Sequence, residues 1–311
     1  KFYKKAIELS PKRISIYFNL SRIDKNFIDE NKIKYLSNLM ENEKQELSEM
    51  SYGYFLLAEN EKKKKNFSKE INYLEKANKC SFDSMKKANT QTLNYWKDII
   101  TRNYKNFEFK NDNKKNTLDK FKPIFIIGLP RSGSTITEVL LSSANKNIKS
   151  LGEASIFNGI IAKGFSAKED SLVDLNFVKD KIIQIFQNRN FDLKKQVFID
   201  KSLENFFYID VILKIFPQAV FINTTRNIED NIFAIFKQSL SKLSWTHSIE
   251  NILKYADNYF KVMNYFIKKY PDKIFSLELE DLTTNTEVVS KKLYSFCKLE
   301  WSDKVLDFKS R

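Results

Sequence analysis

The stretch Phe125-Ile126-Ile127-Gly128-Leu129-Pro130-Arg131-Ser132-Gly133-Ser134-Thr135 reads as a buried strand that runs into a glycine-bracketed turn and then a helix. Ile124 to Ile127 is an unbroken apolar run of the kind found in a central parallel strand, and Ile136, Val139 and Leu140 recur at helical spacing. A turn bent at Gly128 and Gly133 lets successive backbone N–H groups converge on an anion, and the positive end of the following helix adds to the attraction. Arg131, Ser132, Ser134 and Thr135 supply further donors. The spacing matches the phosphate-loop frame G-x-x-x-x-G-K-[ST], except that Ser134 stands where a kinase or ATPase carries lysine. That lysine reaches the outer phosphates of a triphosphate, so a loop with an earlier guanidinium instead suits a shorter anionic tail. The plainer alternative is an ordinary strand-turn-helix corner.

Working outward, apolar strands alternate with helical patterns. Ile124 to Ile127, Val197 to Ile199, Val220 to Ile222 and Ile274 to Leu277 are the strand candidates. Helical spacing covers Thr135 to Ser142, Leu175 to Asn188, Phe206 to Ile215, Asn231 to Ser239 and Ile249 to Lys269. This order predicts an α/β fold with a doubly wound parallel sheet, which binds ligands beyond the carboxyl ends of its strands. Arg131, Lys201 and Arg226 each follow closely on a strand candidate, so one crevice is positioned to gather all three cations.

These residues resemble the sulfotransferases that use 3′-phosphoadenylyl sulfate, whose loop reads Gly-x-Pro-Arg-Ser-Gly-[ST]-Thr. Asp200-Lys201-Ser202-Leu203-Glu204-Asn205 is similar to that family's Asp-Lys segment. Val220 to Asn227 with Asp230 is similar to its second nucleotide element, and Leu277 to Leu282 with Leu293 to Trp301 to its late strand, acidic turn and last helix. The resemblance covers Phe121 to the C-terminus and implies a sulfuryl donor as co-substrate, a hydroxyl-bearing acceptor and no metal. It assigns Arg131, Ser132, Gly133, Ser134 and Thr135 to the 5′-phosphosulfate and Arg226 to the 3′-phosphate; for the hydroxyl donor missing eight residues after that arginine, Asn231 or Ser239 is the expected substitute. A serine usual in the family eight residues after the arginine is replaced here by Ala234. Lys201 is the candidate for stabilising charge on the bridging oxygen as the S–O bond breaks, its alternative being a surface lysine after a strand.

Transfer to a hydroxyl needs a base. Glu153, at the family's Gly-Glu position, is the candidate; the alternative reading is a carboxylate favoured at a helix start. The tyrosylprotein sulfotransferases, to which the bacterial members are related, carry a second glutamate and an arginine where this chain has Ala154 and Ile156. A histidine base would have to be His247, which sits among Trp245, Thr246 and Ser248 and reads as a loop or capping residue. Asp200 after Val197-Phe198-Ile199 also mimics the magnesium-binding acid of a phosphate-loop kinase or NTPase, a rival reading.

The region before the sheet, residues 1–110, reads as helices that resemble the tetratricopeptide repeats fused to many bacterial sulfotransferases. Tyr3 to Pro11 and Asn72 to Lys79 repeat one pattern, with Ala6 and Ala77 separated by 77 − 6 = 71 residues, close to two periods of about 34. A plain array of helical hairpins is the alternative. Residues 111–120, polar and without apolar periodicity, are the expected connector, and residues 121–311 the sulfotransferase domain. Because the chain opens inside a repeat, and because cofactor-closing residues of the family follow the last helix, both ends are expected to be incomplete. The repeats imply a peptide or protein acceptor held in a concave face, while a helical-repeat interaction protein without catalysis is the rival from another class.

Composition narrows the classes. The formal charge of +14 reflects 53 Lys and Arg against 39 Asp and Glu, but these residues are spread over the whole chain, which argues for compositional bias rather than a nucleic-acid surface. The Lys62 to Lys65 run reads as a solvated helix-helix turn. Two cysteines, Cys80 and Cys297, fit a reducing compartment, the cytoplasm, better than a disulfide framework, and a single histidine leaves little for a metal site. No apolar stretch approaches the roughly 20 residues of a membrane span, and no signal-peptide pattern opens the chain.

Overall fold

The computed structural model describes residues 2–101, 104–105, 107–110, 116–143, 148–164, 172–188 and 197–310. The chain forms two compact units: one of residues 1–100 with 232–255, the other of 101–231 with 256–311. The segment 232–255 thus joins the N-terminal helices, an association between distant stretches that no local pattern encodes.

The first unit is helical. It contains α1 (Phe2–Leu9), α2 (Ile14–Ile23), α3 (Glu30–Asn42), α4 (Leu47–Lys63), α5 (Phe67–Ser84) and α6 (Lys86–Thr101). Asp29 and Asn66 begin α3 and α5 as side-chain N-caps, accepting from the N–H groups of Lys32 and Lys69. Helices α4 and α5 pair, with Ser51 Oγ donating to the Ala77 carbonyl at 2.9 Å. Lys62 to Lys65 closes α4 and makes the turn into α5, with Lys65 at φ +58°, and its cations sit where the negative end of the helix dipole favours them. Trp245 stacks on Tyr255 with centroids 3.8 Å apart, and His247 is buried against Phe82.

The second unit is α/β. In chain order it holds β1 (Glu108–Lys110), β2 (Ile124–Gly128), α7 (Ser134–Ser143), β3 (Lys149–Ser150), α8 (Ile156–Gly164), β4 (Leu172–Asp174) and α9 (Leu175–Asn188). There follow β5 (Phe198–Asp200), α10 (Ile209–Ile215), β6 (Val220–Thr225), α11 (Ile228–Phe236), α12 (Ile249–Lys269), β7 (Ile274–Glu278), α13 (Leu279–Thr284) and α14 (Thr286–Phe296), with α11 and α12 running into or out of the first unit. The main sheet has the order β3-β5-β2-β6-β7 and every pair is parallel. Each of the four predicted strands lies in it. The chain leaves β2 for one side of the sheet and later crosses to the other, so the ends of β5, β2 and β6 flank a topological switch point.

Alternation along β2 explains the two cores. Phe125 points into a phenylalanine cluster, with Phe157 at 5.2 Å and Phe221 at 5.4 Å between centroids. Ile124 and Ile126 point the other way and pack with Leu140, Ile199, Ile222 and Leu277. A strand buried on both faces must be apolar throughout, which is why the run Ile124 to Ile127 is unbroken. Each fully buried phenylalanine contributes about 1.5–3 kcal/mol of transfer free energy.

Three features depart from the linear reading. The helix expected from Asn231 begins at Ile228, because Asn227 caps it by accepting from the Asp230 N–H at 3.1 Å. The helix expected from Phe206 opens as a 3₁₀ segment, Leu203–Tyr208, before α10. The short strands β1 and β4, which pair with each other, and β3 carry too few residues for a period-two signal. Of the expected connector, residues 111–115 lie outside the described residues; beyond them, Asn116 Nδ2 donates to the Ile215 carbonyl at 2.9 Å. Among the described residues no helix is long and apolar enough to cross a membrane.

Candidate active site

The loop after β2 is shaped by backbone conformations that side chains resist. Gly128 has φ +142° and Gly133 φ +94°, and Arg131 between them takes φ +68°. A left-handed arginine is uncommon and costs backbone energy, which the surrounding contacts must hold. Ser132 is buried: its Oγ donates to the Leu129 carbonyl at 2.7 Å and lies 2.8 Å from Thr224 Oγ1 on β6. Asn231 Nδ2, from α11, donates to the Pro130 carbonyl at 2.8 Å. Both side chains, read as cofactor contacts, here brace the loop from within. Arg131 and Thr135 are exposed, whereas Ser134, which opens α7, is buried.

Lys201 is the hub of a second group. It follows β5 directly, and its backbone N–H donates to the Gly152 carbonyl at 3.0 Å. Its ammonium donates to Thr135 Oγ1 at 3.2 Å and pairs with Glu153 Oε1 and Glu138 Oε2, each at 3.0 Å. The lysine side chain is 7% exposed, Glu138 15% and Glu153 70%. Burial works against the ammonium charge, but the hydrogen bonds to Glu153 and Glu138 outweigh it and raise the Lys201 pKa. The structure therefore joins three residues singled out in the sequence, Thr135, Glu153 and Lys201, through direct contacts.

Asp200 holds the turn that presents this lysine. Its Oδ1 accepts from the Ser202 N–H at 2.9 Å and from Asn205 Nδ2 at 2.7 Å. Burial pushes its carboxyl up to about 6, against the lowering effect of those hydrogen bonds.

Arg226 follows β6 and lines a pocket of about 520 Å³ with Asn223, Tyr259, Asn264, Glu278 and Glu280. Its guanidinium lies 3.9 Å from Asp230 Oδ2. The two cations stand after β6 and β5, on either side of β2, two strand spacings or about 10 Å apart across the sheet. Because Phe125 pairs with both Asp200 and Phe221, Arg226 also lies about 13 Å further along the strand direction, which puts the two backbones roughly 16 Å apart. Leu279 separates this pocket from the loop: a Cβ on Gly133 would meet Leu279 Cδ1 at 2.8 Å, while its neighbours Glu278 and Glu280 line the pocket. His247 lies in the helical unit, its Nδ1 3.3 Å from Asn78 Oδ1, and burial pushes its pKa down to about 4.

Two members of the Lys201 group were not apparent from the motifs: Glu138, and Ser150, which donates to Glu138 Oε1 and accepts from the Gly152 N–H at 3.1 Å. A signal for Glu138 exists, since it is the one charged residue of α7. Among the described residues no group of three or more His, Cys, Asp or Glu is placed to hold a metal ion.

A parallel α/β sheet with an anion loop after its central strand defines a phosphate-loop protein. The particular branch follows from comparison: residues 123–303 match the model of the Sulfotransferase family, and the chain belongs to that family. An uncharacterized protein of Aquifex aeolicus (strain VF5) is 28% identical over 204 residues, which is 60% of this chain and 27% of that protein. The chain thus spans little more than a quarter of the curated relative it matches. Among solved structures, the sulfotransferase domain from the curacin biosynthetic pathway has 16% identity over 60% of this chain and 77% of that one, with a TM-score of 0.43. The sulfotransferase domain from the Synechococcus PCC 7002 olefin synthase has 17% identity over 66% and 82%, with a TM-score of 0.44.

Proposed function

We propose that this chain transfers a sulfuryl group from 3′-phosphoadenylyl sulfate to a hydroxyl oxygen, the acceptor being presented on a peptide or protein by the tetratricopeptide-like helices. The observation that carries the reading is the Lys201 ammonium seated between Thr135 of the anion loop and the carboxylate of Glu153. The residues fit the donor. Gly128 and Gly133, both at positive φ, bend the loop, and a left-handed Arg131 is exposed between them. The separation of Arg226 from the loop and Lys201, two strands across the sheet and about four residues along it, suits a ligand with two separate anionic groups, one for the loop and one for Arg226.

The donor supplies an activated sulfur with a phosphate leaving group. Glu153 takes the acceptor proton as the new O–S bond forms, and the old S–O bond leaves its electron pair on the phosphate oxygen. Lys201, with Arg131, balances the charge that develops there, so the reading assigns no step to a metal. A residue aimed at developing charge contributes about 10²–10³ in rate, which sets the expected loss for Lys201→Ala. The resemblance of the sequence to bacterial members related to the tyrosylprotein sulfotransferases is the ground for reading the acceptor as a protein hydroxyl. We place the enzyme in the reducing cytoplasm, where the free thiols Cys80 and Cys297 persist.

Calorimetry with 3′,5′-ADP tests the donor site. The wild-type chain should bind it, and Arg226→Ala should weaken binding by roughly tenfold or more through loss of a charge-assisted contact. Absence of binding, or affinity indifferent to Arg226, overturns the reading.

A further inference from the structure

Glu153 and Lys201 have opposite tasks in this reading, yet they are bonded to each other. A carboxylate that is to accept a proton must be able to release the ammonium, and a lysine released by its sole anchor would swing on four rotatable bonds. A second carboxylate removes the conflict. Glu138 reaches the same nitrogen from α7 at 3.0 Å, and its other oxygen accepts from Ser150 Oγ. Ser150 Oγ in turn accepts from the Gly152 N–H, and the Gly152 carbonyl accepts from the Lys201 N–H. Glu138 therefore ties the lysine side chain to the backbone on the near side of the Glu153 turn. At 15% exposure against 70% it is also the less hydrated partner.

We propose that Glu138 is a positioning residue, the fixed counter-ion that keeps Lys201 charged and docked on Thr135 while Glu153 exchanges between the ammonium and the acceptor hydroxyl. This rests on the sulfuryl-transfer reading for its catalytic meaning, but the contact itself is tested without turnover. Among the described residues the charged groups acting on Lys201 are Glu138 from α7 and Glu153 from the turn after β3; Glu204, from the 203–208 segment, interacts with Glu153.

The test is trace acetylation with acetic anhydride near pH 8.5, with Lys201 followed by peptide mass spectrometry against the exposed lysines. Glu138→Gln keeps the shape but removes the charge, so the ammonium gives up its proton more readily and Lys201 labelling rises about tenfold. Glu153→Gln should raise it by less than about threefold, because water screens the exposed partner. Glu138→Asp, charged but one methylene short, should fall between wild type and Glu138→Gln; if the glutamine variant does not fold by circular dichroism, this variant decides alone by labelling faster than wild type. In turnover, Glu138→Gln should lower kcat at unchanged acceptor KM and move the alkaline limb of kcat to lower pH. Unchanged labelling in the Glu138 variants, or a larger effect from Glu153→Gln, overturns the proposal. If the wild type binds no 3′,5′-ADP, the sulfuryl-transfer reading falls while the labelling still decides the role of Glu138.

Discussion

At Gly128 a methyl group has nowhere to go: its Cβ would stand 2.4 Å from the Thr224 carbonyl oxygen, a backbone atom on the hydrogen-bonded neighbour strand. At Gly133 the obstacle is Leu279 Cδ1 at 2.8 Å, the far end of a side chain that can turn away. Both positions also carry positive φ, which penalises alanine by roughly 1 kcal/mol before any overlap. Gly128→Ala should therefore destabilise more than Gly133→Ala in urea unfolding, and adding Leu279→Ala should recover part of the loss only for Gly133. Equal losses would mean that φ alone sets the cost. The glycine spacing was legible in the sequence because it is local and each bend needs its residue. The partners of Lys201 were only half legible. Glu153 stood in a motif, whereas Glu138 is selected by the fold, which brings α7 over the end of β5, and its only sequence mark is a lone charge in an apolar helix.

At the scale of elements, the loop is held by its neighbours as much as by its own turns. Asn227 fixes where α11 begins, and Asn231, one turn later, is thereby aimed at Pro130. The linear reading started this helix at Asn231, because the apolar period becomes clear only from Ile232 onward; the cap lies earlier and its signal is a single asparagine after Arg226. Asn231→Ala removes a buried donor to the Pro130 carbonyl and should cost about 1–3 kcal/mol of stability. Affinity for 3′,5′-ADP should fall alongside, since the loop backbone loses its brace. Urea unfolding and calorimetry on the same variant separate two roles: weaker binding at full stability would place the Asn231 amide on the nucleotide instead. The strands themselves were legible, since β2 is apolar along its buried length and the first half of β6, Val220 to Ile222, shows the same run before Asn223 and Thr224 turn it polar. The two-residue β3 and the β1–β4 pair were not, because such short ladders depend on what lies beside them.

For the molecule as a whole, His247 in one unit and Asp200 in the other are buried titratable groups on which acid acts in opposite senses. In the helical unit, burial holds His247 neutral, its pKa down from 6.5 to about 4. As pH falls from 6.5 to 4 the unfolded chain takes up a proton that the folded chain refuses, so stability drops across that window, by about 3 kcal/mol in full. In the α/β unit, burial lifts Asp200 from 3.8 to about 6. Here the folded chain binds the proton first, so stability rises as pH falls from 6 to 3.8 and is lost again as pH climbs, with a similar magnitude of about 3 kcal/mol. Two of the three tryptophans, Trp96 and Trp245, belong to the helical unit, so fluorescence reports mainly on it, while far-UV circular dichroism sees both. Melting followed by fluorescence should therefore show the stronger acid loss between pH 6.5 and 4. His247→Gln should flatten that limb and leave the α/β response intact; Asp200→Asn, which keeps the acceptor oxygen for Ser202 and Asn205, should abolish the gain between pH 6 and 3.8 without touching the fluorescence limb. A single acid limb, shifted identically by both variants in both signals, would show that the two units unfold as one and that these groups do not act separately.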